Sequence, residues 1–452
     1  MWFAASCAVA PETADKPLST AAQLLYTVLR QSPSSEGRTS MSNFYGGGRQ
    51  LSQYHPLSEA EAIEIARSVK EVFPTEDELV SREIGDGNLN LVFHITQPAT
   101  GRSLIIKQAL PYAKVVGESW PLSLDRARIE SEALVKQGEL APGLAPRVYK
   151  TDAELALTVM EDLSDHVIMR RGLIEGGIYP KFAEHISEFM ARTLFFTSDL
   201  GMNQQEKKRL VQQFVNPDLC KITEDLIFQD PYFDAETNNI EAHIRDAAEA
   251  IWQNEKLLFE VALLREKFLT HAQALLHGDL HTGSIFITPE STKVIDPEFA
   301  YYGPIGFDVG AVIANLLLNF AAQEHWSADE ASRRDRRAYL LNTVRDVWNL
   351  FEAKFRKLWN EHGVDRVARA AGYQDDYMRR LLKDTVGFAG AKTVRRVYGL
   401  AHVADIDTIP DAAVRERAQR LALAIGTGLI LHHRQAESID DVIRIAEQAV
   451  GN

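Results

Sequence analysis

Two rhythms of apolar and polar positions run along this chain, and the change from one to the other marks its architecture. Ser58 and Glu61 have the spacing of a capping box, and Ala62, Ile65, Ala66 and Val69 fall on one helical face, so a helix is predicted just after Leu57. Thr75 with Glu78 repeats the capping signal and predicts a second, short helix. A period of two follows. Residues 79–84 lead into Gly85-Asp86-Gly87-Asn88, after which Leu89, Leu91, Phe93 and Ile95 occupy one face of a strand. A turn over Pro98–Gly101 and the run Leu104-Ile105-Ile106-Lys107 complete an expected antiparallel meander. Residues 125–137 predict a helix and 155–160 another strand. From about residue 180 the pattern is helical, interrupted near 277–298 by short apolar runs around a cluster of His, Asp and Gly. No internal repeat is visible. This order predicts an α+β, bilobal chain: a small β-rich lobe over 57–160 and a large, mainly helical lobe over 161–452, joined near 160–164.

Composition narrows the class. The chain has 452 residues, 45% hydrophobic and 25% charged, enough for one large core or two lobes. Its formal net charge of -14 gives no reason to expect nucleic acid or an anionic membrane surface as a partner. A negative protein still binds ATP through local backbone amides, one Lys and a metal. Cys7 and Cys220 are the only cysteines, which points to a reducing, cytoplasmic setting without a disulfide framework or zinc-site spacing. No run reaches the roughly 18 uninterrupted apolar residues that span a bilayer. Residues 1–56 differ: Trp2 to Ala10 is apolar but lacks a basic flank, and a Pro/Ser/Thr/Gly-rich stretch ends in Gly46-Gly47-Gly48. A disordered leader, or a start assigned too early with Met41 the true one, is the expectation, with a targeting segment as the other reading.

Several segments carry chemistry. The turn Gly85-Asp86-Gly87-Asn88-Leu89-Asn90 lies between strands, where glycines let backbone approach phosphates; a plain hairpin turn reads the same way. Asn90 stands where the kinase pattern has a third glycine, and the amide of Asn88 or Asn90 offers a donor to phosphate instead. Lys107 sits among apolar neighbours, and a buried ammonium needs a partner. Glu130 on the following helix is the expected one and Glu132 the alternative; such a pair orients ATP phosphates. A Lys on an exposed strand face is the other reading.

The segment with most content is His277-Gly278-Asp279-Leu280-His281-Thr282-Gly283-Ser284, followed by Val294-Ile295-Asp296-Pro297-Glu298. Two acidic centres 17 residues apart, each beside a short β-run, can converge. Asp279 is expected to accept or orient the proton of an attacking hydroxyl, and Asp296 and Glu298 offer hard oxygen ligands to Mg²⁺. Phosphoryl transfer needs little beyond alignment and charge neutralisation, so a base, a metal clamp and a Lys form a complete set. His271, His277 and His281 lack the i, i+4 spacing of a metallohydrolase helix, so His277 is expected to hydrogen-bond the loop backbone. Asp308 opens an apolar helix, either as its N-cap or as acceptor of amides from the 277–284 loop. Arg395 and Arg396 are adjacent, and since consecutive helical residues diverge by about 100°, only one is expected to face a given pocket.

Together the Gly85–Asn90 run, Lys107-Gln108-Ala109, Gly117-Glu118-Ser119-Trp120-Pro121, His277 to Ser284, Asp296-Pro297-Glu298, Gly387-Phe388-Ala389-Gly390, Arg395-Arg396 and Gly399-Leu400-Ala401-His402 resemble the 5-methylthioribose kinases over about residues 57–450. The resemblance implies a bilobal fold related to aminoglycoside and choline kinases. It implies ATP- and Mg²⁺-dependent phosphorylation of the anomeric 1-hydroxyl of 5-methylthioribose in methionine salvage, by a cytoplasmic homodimer. It further implies that Asn88 and Lys107 contact ATP phosphates, and that the linker Glu161-Asp162-Leu163 meets the adenine through its backbone. Asp279 is then catalytic and touches substrate, and Asp296, Pro297 and Glu298 serve the nucleotide, Asp296 and Glu298 through Mg²⁺. Arg395 and Arg396 bind the sugar or its incoming phosphate, and Gly117 to Pro121, with Trp120, covers the sugar pocket. Ser284 stands where protein kinases keep a metal-binding Asn, and Asp-Pro-Glu replaces Asp-Phe-Gly. A protein kinase is disfavoured, because only nine residues separate Glu298 from Asp308, too few for an activation loop. An aminoglycoside or choline kinase is the nearest alternative, and a catalytically dead nucleotide-binding module the alternative of another class.

Overall fold

The computed structural model describes residues 54–84, 90–113, 117–121 and 123–451, the side chains of 113 and 117–121 excepted. The leader to residue 53, the Gly85–Leu89 turn with Asn88, and the Trp120 side chain lie outside the described residues. Among the described residues two compact units emerge: the first holds those from Tyr54 to Ser131 together with Val148–Asp162, the second Glu132–Arg147 and those from Leu163 onward.

The first unit is built on a five-stranded sheet of order β1-β2-β3-β7-β6. Its strands are β1 (Val80–Glu83), β2 (Asn90–Gln97), β3 (Arg102–Ala109), β6 (Val148–Asp152) and β7 (Leu157–Glu161), while β4 (Tyr112–Ala113) and β5 (Gly117–Pro121) form a separate ribbon. Every pairing in the sheet is antiparallel. Alternation explains the packing: Leu91, Phe93 and Ile95 of β2 meet Leu104 and Ile106 of β3 in one cluster, which the helix Glu59–Arg67 covers with Ala62 and Ala66. That helix carries the expected capping box, the Ser58 side chain accepting from the Glu61 amide while Glu61 accepts from the Ser58 amide.

Thr75 to Glu78 form no helix. The Thr75 hydroxyl instead donates to the Asp77 carboxylate at 2.8 Å and accepts from Gln97 Nε2, and the chain runs directly into β1. Four residues cannot offset the nucleation penalty of a helix, so a local side-chain bond prevails over the capping signal. The first strand of the β6–β7 hairpin was not legible in the sequence, because the pattern of Val-Tyr-Lys-Thr-Asp gives no single apolar face.

In the second unit, long helices enclose a continuous core. The helix Gly306–Trp326 is buried on nearly every side, with Tyr373–Tyr398 and Ala412–His432 among the helices around it. It is long and apolar enough to cross a membrane, yet its apolar window is wholly buried inside the protein, the position of a core helix. Gly310 permits the close crossing: a Cβ there would lie 2.7 Å from the Thr385 carbonyl oxygen and 2.8 Å from the Ala389 amide nitrogen. Short strands punctuate the helices, β8 (Val167–Ile168), β10 (Ile285–Ile287) and β11 (Thr292–Val294) forming one sheet, β9 (Ala274–Leu275) and β12 (Tyr302–Gly303) another. They carry the loop of residues 277–284 and the segment around Asp296.

Candidate active site

In the first unit the chemistry centres on the middle strand. Lys107 lies on β3 opposite Val92 of β2 and Thr158 of β7, so its stem is enclosed by neighbouring strands. Its ammonium meets Glu130 Oε1 at 2.6 Å, with both side chains less than a tenth exposed. Glu132, the alternative partner, instead accepts a hydrogen bond from Gln213. The next residue, Gln108, points to the opposite face and satisfies a buried amide completely: Oε1 accepts from the Leu57 amide, and Nε2 donates to the His55 and Leu155 carbonyls. Asn90 is buried, its Oδ1 accepting from Arg126 Nη1 at 2.9 Å, so this amide oxygen braces the helix carrying Glu130. At the end of β7, Asp162 Oδ2 accepts from Ser103 Oγ at 2.7 Å and lies 3.0 Å from His94 Nε2.

In the second unit the residues 277–284 form a rigidly supported loop. Gly278 adopts a left-handed backbone, φ 85°, and a side chain there would collide with the Phe299 carbonyl. Asp308 receives the His277 amide on Oδ2 at 2.7 Å and the Gly278 amide on Oδ1 at 3.1 Å. It lies inside the first turn of Gly306–Trp326 rather than at the N-cap. His277 Nε2 donates to the Ile295 carbonyl at 2.8 Å and its Nδ1 accepts from the Asp279 amide, tying the loop to the strand that precedes Asp296. Ser284 Oγ donates to the Asp279 carbonyl. Every contact serves the placement of one residue.

That residue is Asp279, one-fifth exposed through its side chain. Oδ1 lies 3.1 Å from Lys392 Nζ and 3.9 Å from Arg396 Nη2, and Oδ2 lies 3.3 Å from His281 Nε2. Burial works to raise the Asp279 carboxyl, but His281, Lys392 and Arg396 outweigh it and hold it well below the usual carboxylate range. Burial pushes His281 down to about 4, so the ring is neutral; since its Nδ1 accepts from the Gly283 amide, Nε2 carries the proton toward Asp279. Burial also lowers Lys392 to about 8, with Arg395 and Arg396 adding to the effect, and Arg395 to about 9, with Arg396 adding to it.

Both arginines are buried, as their small apolar neighbours on either side allow. The helix axis is itself enclosed here, so residues 100° apart both meet protein. Arg396 donates to the Ala401 carbonyl, whereas Arg395 Nε and Nη1 have no hydrogen-bond partner among the described residues. Unpaired buried guanidinium nitrogens are costly, and such a group belongs where an oxygen-rich ligand completes its shell.

Asp296 and Glu298 bring carboxylate oxygens within 4.8 Å of one another. Asp296 holds φ 69°, a conformation rare for a residue with a Cβ and a form of strain found at ligand-holding positions. Pro297 and Glu298 are buried, and the Glu298 carbonyl accepts from Asn216 Nδ2 at 2.9 Å.

Four contributors escaped sequence reasoning. Lys392 was readable in principle, since it precedes Arg396 by one helical turn. Arg170, Asp405 and Asn315 had no such signal. Arg170 Nη2 donates to Asn315 Oδ1 at 3.0 Å and its Nε lies 3.4 Å from Asp405 Oδ2, while Thr282 Oγ1 also donates to Asn315. Asn319 Nδ2 donates to Asp405 Oδ1, which extends this buried polar file along one face of Gly306–Trp326.

Residues 80–351 match the phosphotransferase enzyme family. The chain is 52% identical over 396 residues to methylthioribose kinase of Geobacillus kaustophilus, covering 88% of this chain and 98% of that one. It is 45% identical over 394 residues to the methylthioribose kinase of Yersinia pseudotuberculosis, covering 87% and 95%. A solved choline kinase from Cryptosporidium parvum aligns with 87% of this chain and 96% of its own at 11% identity and a TM-score of 0.44, too loose a likeness to refine the assignment. With half its residues shared across almost the full length of such relatives, this chain belongs to the methylthioribose kinases, within the phosphotransferase enzyme family.

Proposed function

We propose that the protein transfers the γ-phosphoryl group of ATP to the 1-hydroxyl of 5-methylthioribose, giving 5-methylthioribose 1-phosphate and ADP in methionine salvage. The observation that carries this reading is Asp279, a carboxylate kept ionised among Lys392, Arg396 and a neutral His281 in a chain of this family. The acceptor oxygen attacks the γ-phosphorus, its proton passes to Asp279, and the bond to the β–γ bridging oxygen breaks to release ADP. A carboxylate held so far below neutrality is a weak base, so orienting the hydroxyl is the larger part of its work until the proton becomes acidic in the transition state.

In this reading Lys107, held by Glu130, contacts the α- and β-phosphates, Asn88 caps them, and Glu161, Asp162 and Leu163 offer backbone to the adenine. Asp296 and Glu298 hold Mg²⁺, a hard cation whose preference for oxygen ligands fits a carboxylate pair and which neutralises phosphate charge when bound. Arg395 and Arg396 bind the sugar oxygens or the transferring phosphoryl group, Arg395 with two unfilled donors. Trp120 covers the sugar. Residues 57–160 serve as the nucleotide-covering lobe and 161–452 as the lobe of the catalytic loop, in a cytoplasmic homodimer.

A coupled ADP-release assay with methylthioribose, ribose, choline and kanamycin side by side tests the proposal. Methylthioribose should give turnover and the two cationic acceptors none, since Lys392, Arg395 and Arg396 repel a cation. Turnover with choline or kanamycin in preference to methylthioribose overturns it.

A further inference from the structure

The catalytic carboxylate assigned above does not stand by itself: beyond the charge it contributes, Lys392 holds it in place. Lys392 is 4% exposed through its side chain, and its ammonium has two partners, Asp279 Oδ1 at 3.1 Å and the face of the Phe307 ring at 4.4 Å from the centroid. Phe307 is fully buried, packing edge-on against Phe388 with ring centroids 5.5 Å apart and tilted against Phe268 at 5.0 Å. The lysine therefore rests on an aromatic floor that cannot yield, and its one hydrogen-bonding target in the described structure is the carboxylate.

We propose that Lys392 is a positioning residue for phosphoryl transfer: by clamping Asp279 Oδ1 it fixes the rotation of the carboxylate, so that the lone pairs left open face the acceptor hydroxyl. This rests on the reading of Asp279 as the residue that receives the acceptor proton.

Three features separate this role from ordinary core packing. First, a lysine placed only for structure is normally a pair with one carboxylate, and Lys392 instead shares Asp279 with Arg396 at 3.9 Å and with His281 at 3.3 Å on the other oxygen. Second, Asp279 retains exposure while Lys392 has nearly none, so the carboxylate, not the ammonium, is what a ligand can touch. Third, Lys392, Arg395 and Arg396 lie within two turns of one helix, so a single rigid element carries both the clamp and the unfilled guanidinium donors of Arg395. The charged and titratable groups around the pair are Asp279 and His281 from the loop, Arg395 and Arg396 from the same helix as Lys392, Asp308 from Gly306–Trp326, and Arg170 from Met169–Ile174.

The test compares Lys392→Met, Lys392→Arg and Asp279→Asn with the parent enzyme, measuring ADP release across the full pH profile alongside thermal melts. Lys392→Met should lower kcat about 100-fold while KM for ATP stays as it was. The acid limb of kcat/KM should move up by about 1 to 3 pH units, because a carboxylate without its ammonium protonates sooner as pH falls. Lys392→Arg, which keeps the charge and folds more readily, should recover part of kcat and return the acid limb toward the parental position. The inference fails if Lys392→Met keeps the parental rate, if the acid limb stays in place while activity falls, or if Lys392→Arg melts like the parent and recovers nothing. An active Asp279→Asn enzyme would defeat the assignment of Asp279 itself; an inactive one, beside a Lys392→Met enzyme of parental rate, defeats the clamp alone.

Discussion

A buried lysine meets a carboxylate at the candidate site of each unit, and the two pairs are built differently. Lys107 and Glu130 meet at 2.6 Å with both side chains shielded, the lysine on a central strand and the glutamate on a helix. Lys392 and Asp279 meet at 3.1 Å with only the lysine shielded, and further cations crowd the same carboxylate. The first pair is shielded on both sides; the second leaves positive charge in excess around a group that stays accessible. A shielded pair fixes a side chain in place, whereas an excess of positive charge suits an anion or an oxygen-rich ligand. The same two charged groups, an ammonium and a carboxylate, thus serve differently according to what surrounds them.

Substitutions can break that contrast, and the largest effect is expected at Asp279. Asp279→Ala should lower kcat by roughly 10²- to 10⁴-fold with ATP binding retained, read by steady-state kinetics and nucleotide titration. Substantial residual turnover removes Asp279 from its role. Next comes Lys107→Met, which removes the ammonium from a buried ion pair and should destabilise the protein by about 3 kcal/mol while raising KM for ATP. A chain that melts unchanged would mean that this pair adds nothing to stability.

Arg395→Ala and Arg396→Ala should each raise KM for the sugar about tenfold, a change of roughly 1.4 kcal/mol, and more than KM for ATP. Arg395→Ala should do so without loss of thermal stability, because it removes buried donors that have no partner among the described residues. If its melting temperature drops as far as that of Lys107→Met, Arg395 is packing material rather than an unfilled ligand site. The smallest effect belongs to the capping box of the first unit, where Ser58→Ala should remove about 1 kcal/mol in a denaturant titration. Glu61 in that box is pulled down to about 2 by hydrogen bonds from Ser58, so its contribution is fully present above the ordinary value of 4.5 and fades as pH falls toward 2. A melt that is flat with pH through that window would show the box to be open in solution.

Much of this was legible beforehand because it rests on local rules. The capping box at Ser58, the alternation of β2 and the buried run of β3 each express a backbone preference that a few residues determine. The false helix at Thr75 came from the same rules applied where too little chain follows to propagate a turn. For Arg395 and Arg396, helical geometry sends neighbours to different sides, and only the surrounding helices decide that both sides are interior. Arg170, Asn315 and Asp405 were invisible because their meaning lies in one another, across 145 and more residues of sequence.

What the sequence alone determined is the inventory: a loop acid, a carboxylate pair, a strand lysine and an arginine pair, set in elements that local periodicity can specify. Tertiary structure decided which carboxylate each lysine meets, how many cations share Asp279, and which donors are left unfilled. Those outcomes depend on burial and on distances of a few ångströms between distant segments. Electrostatic strength at such separations is governed by the surrounding dielectric, and no stretch of sequence carries that quantity by itself.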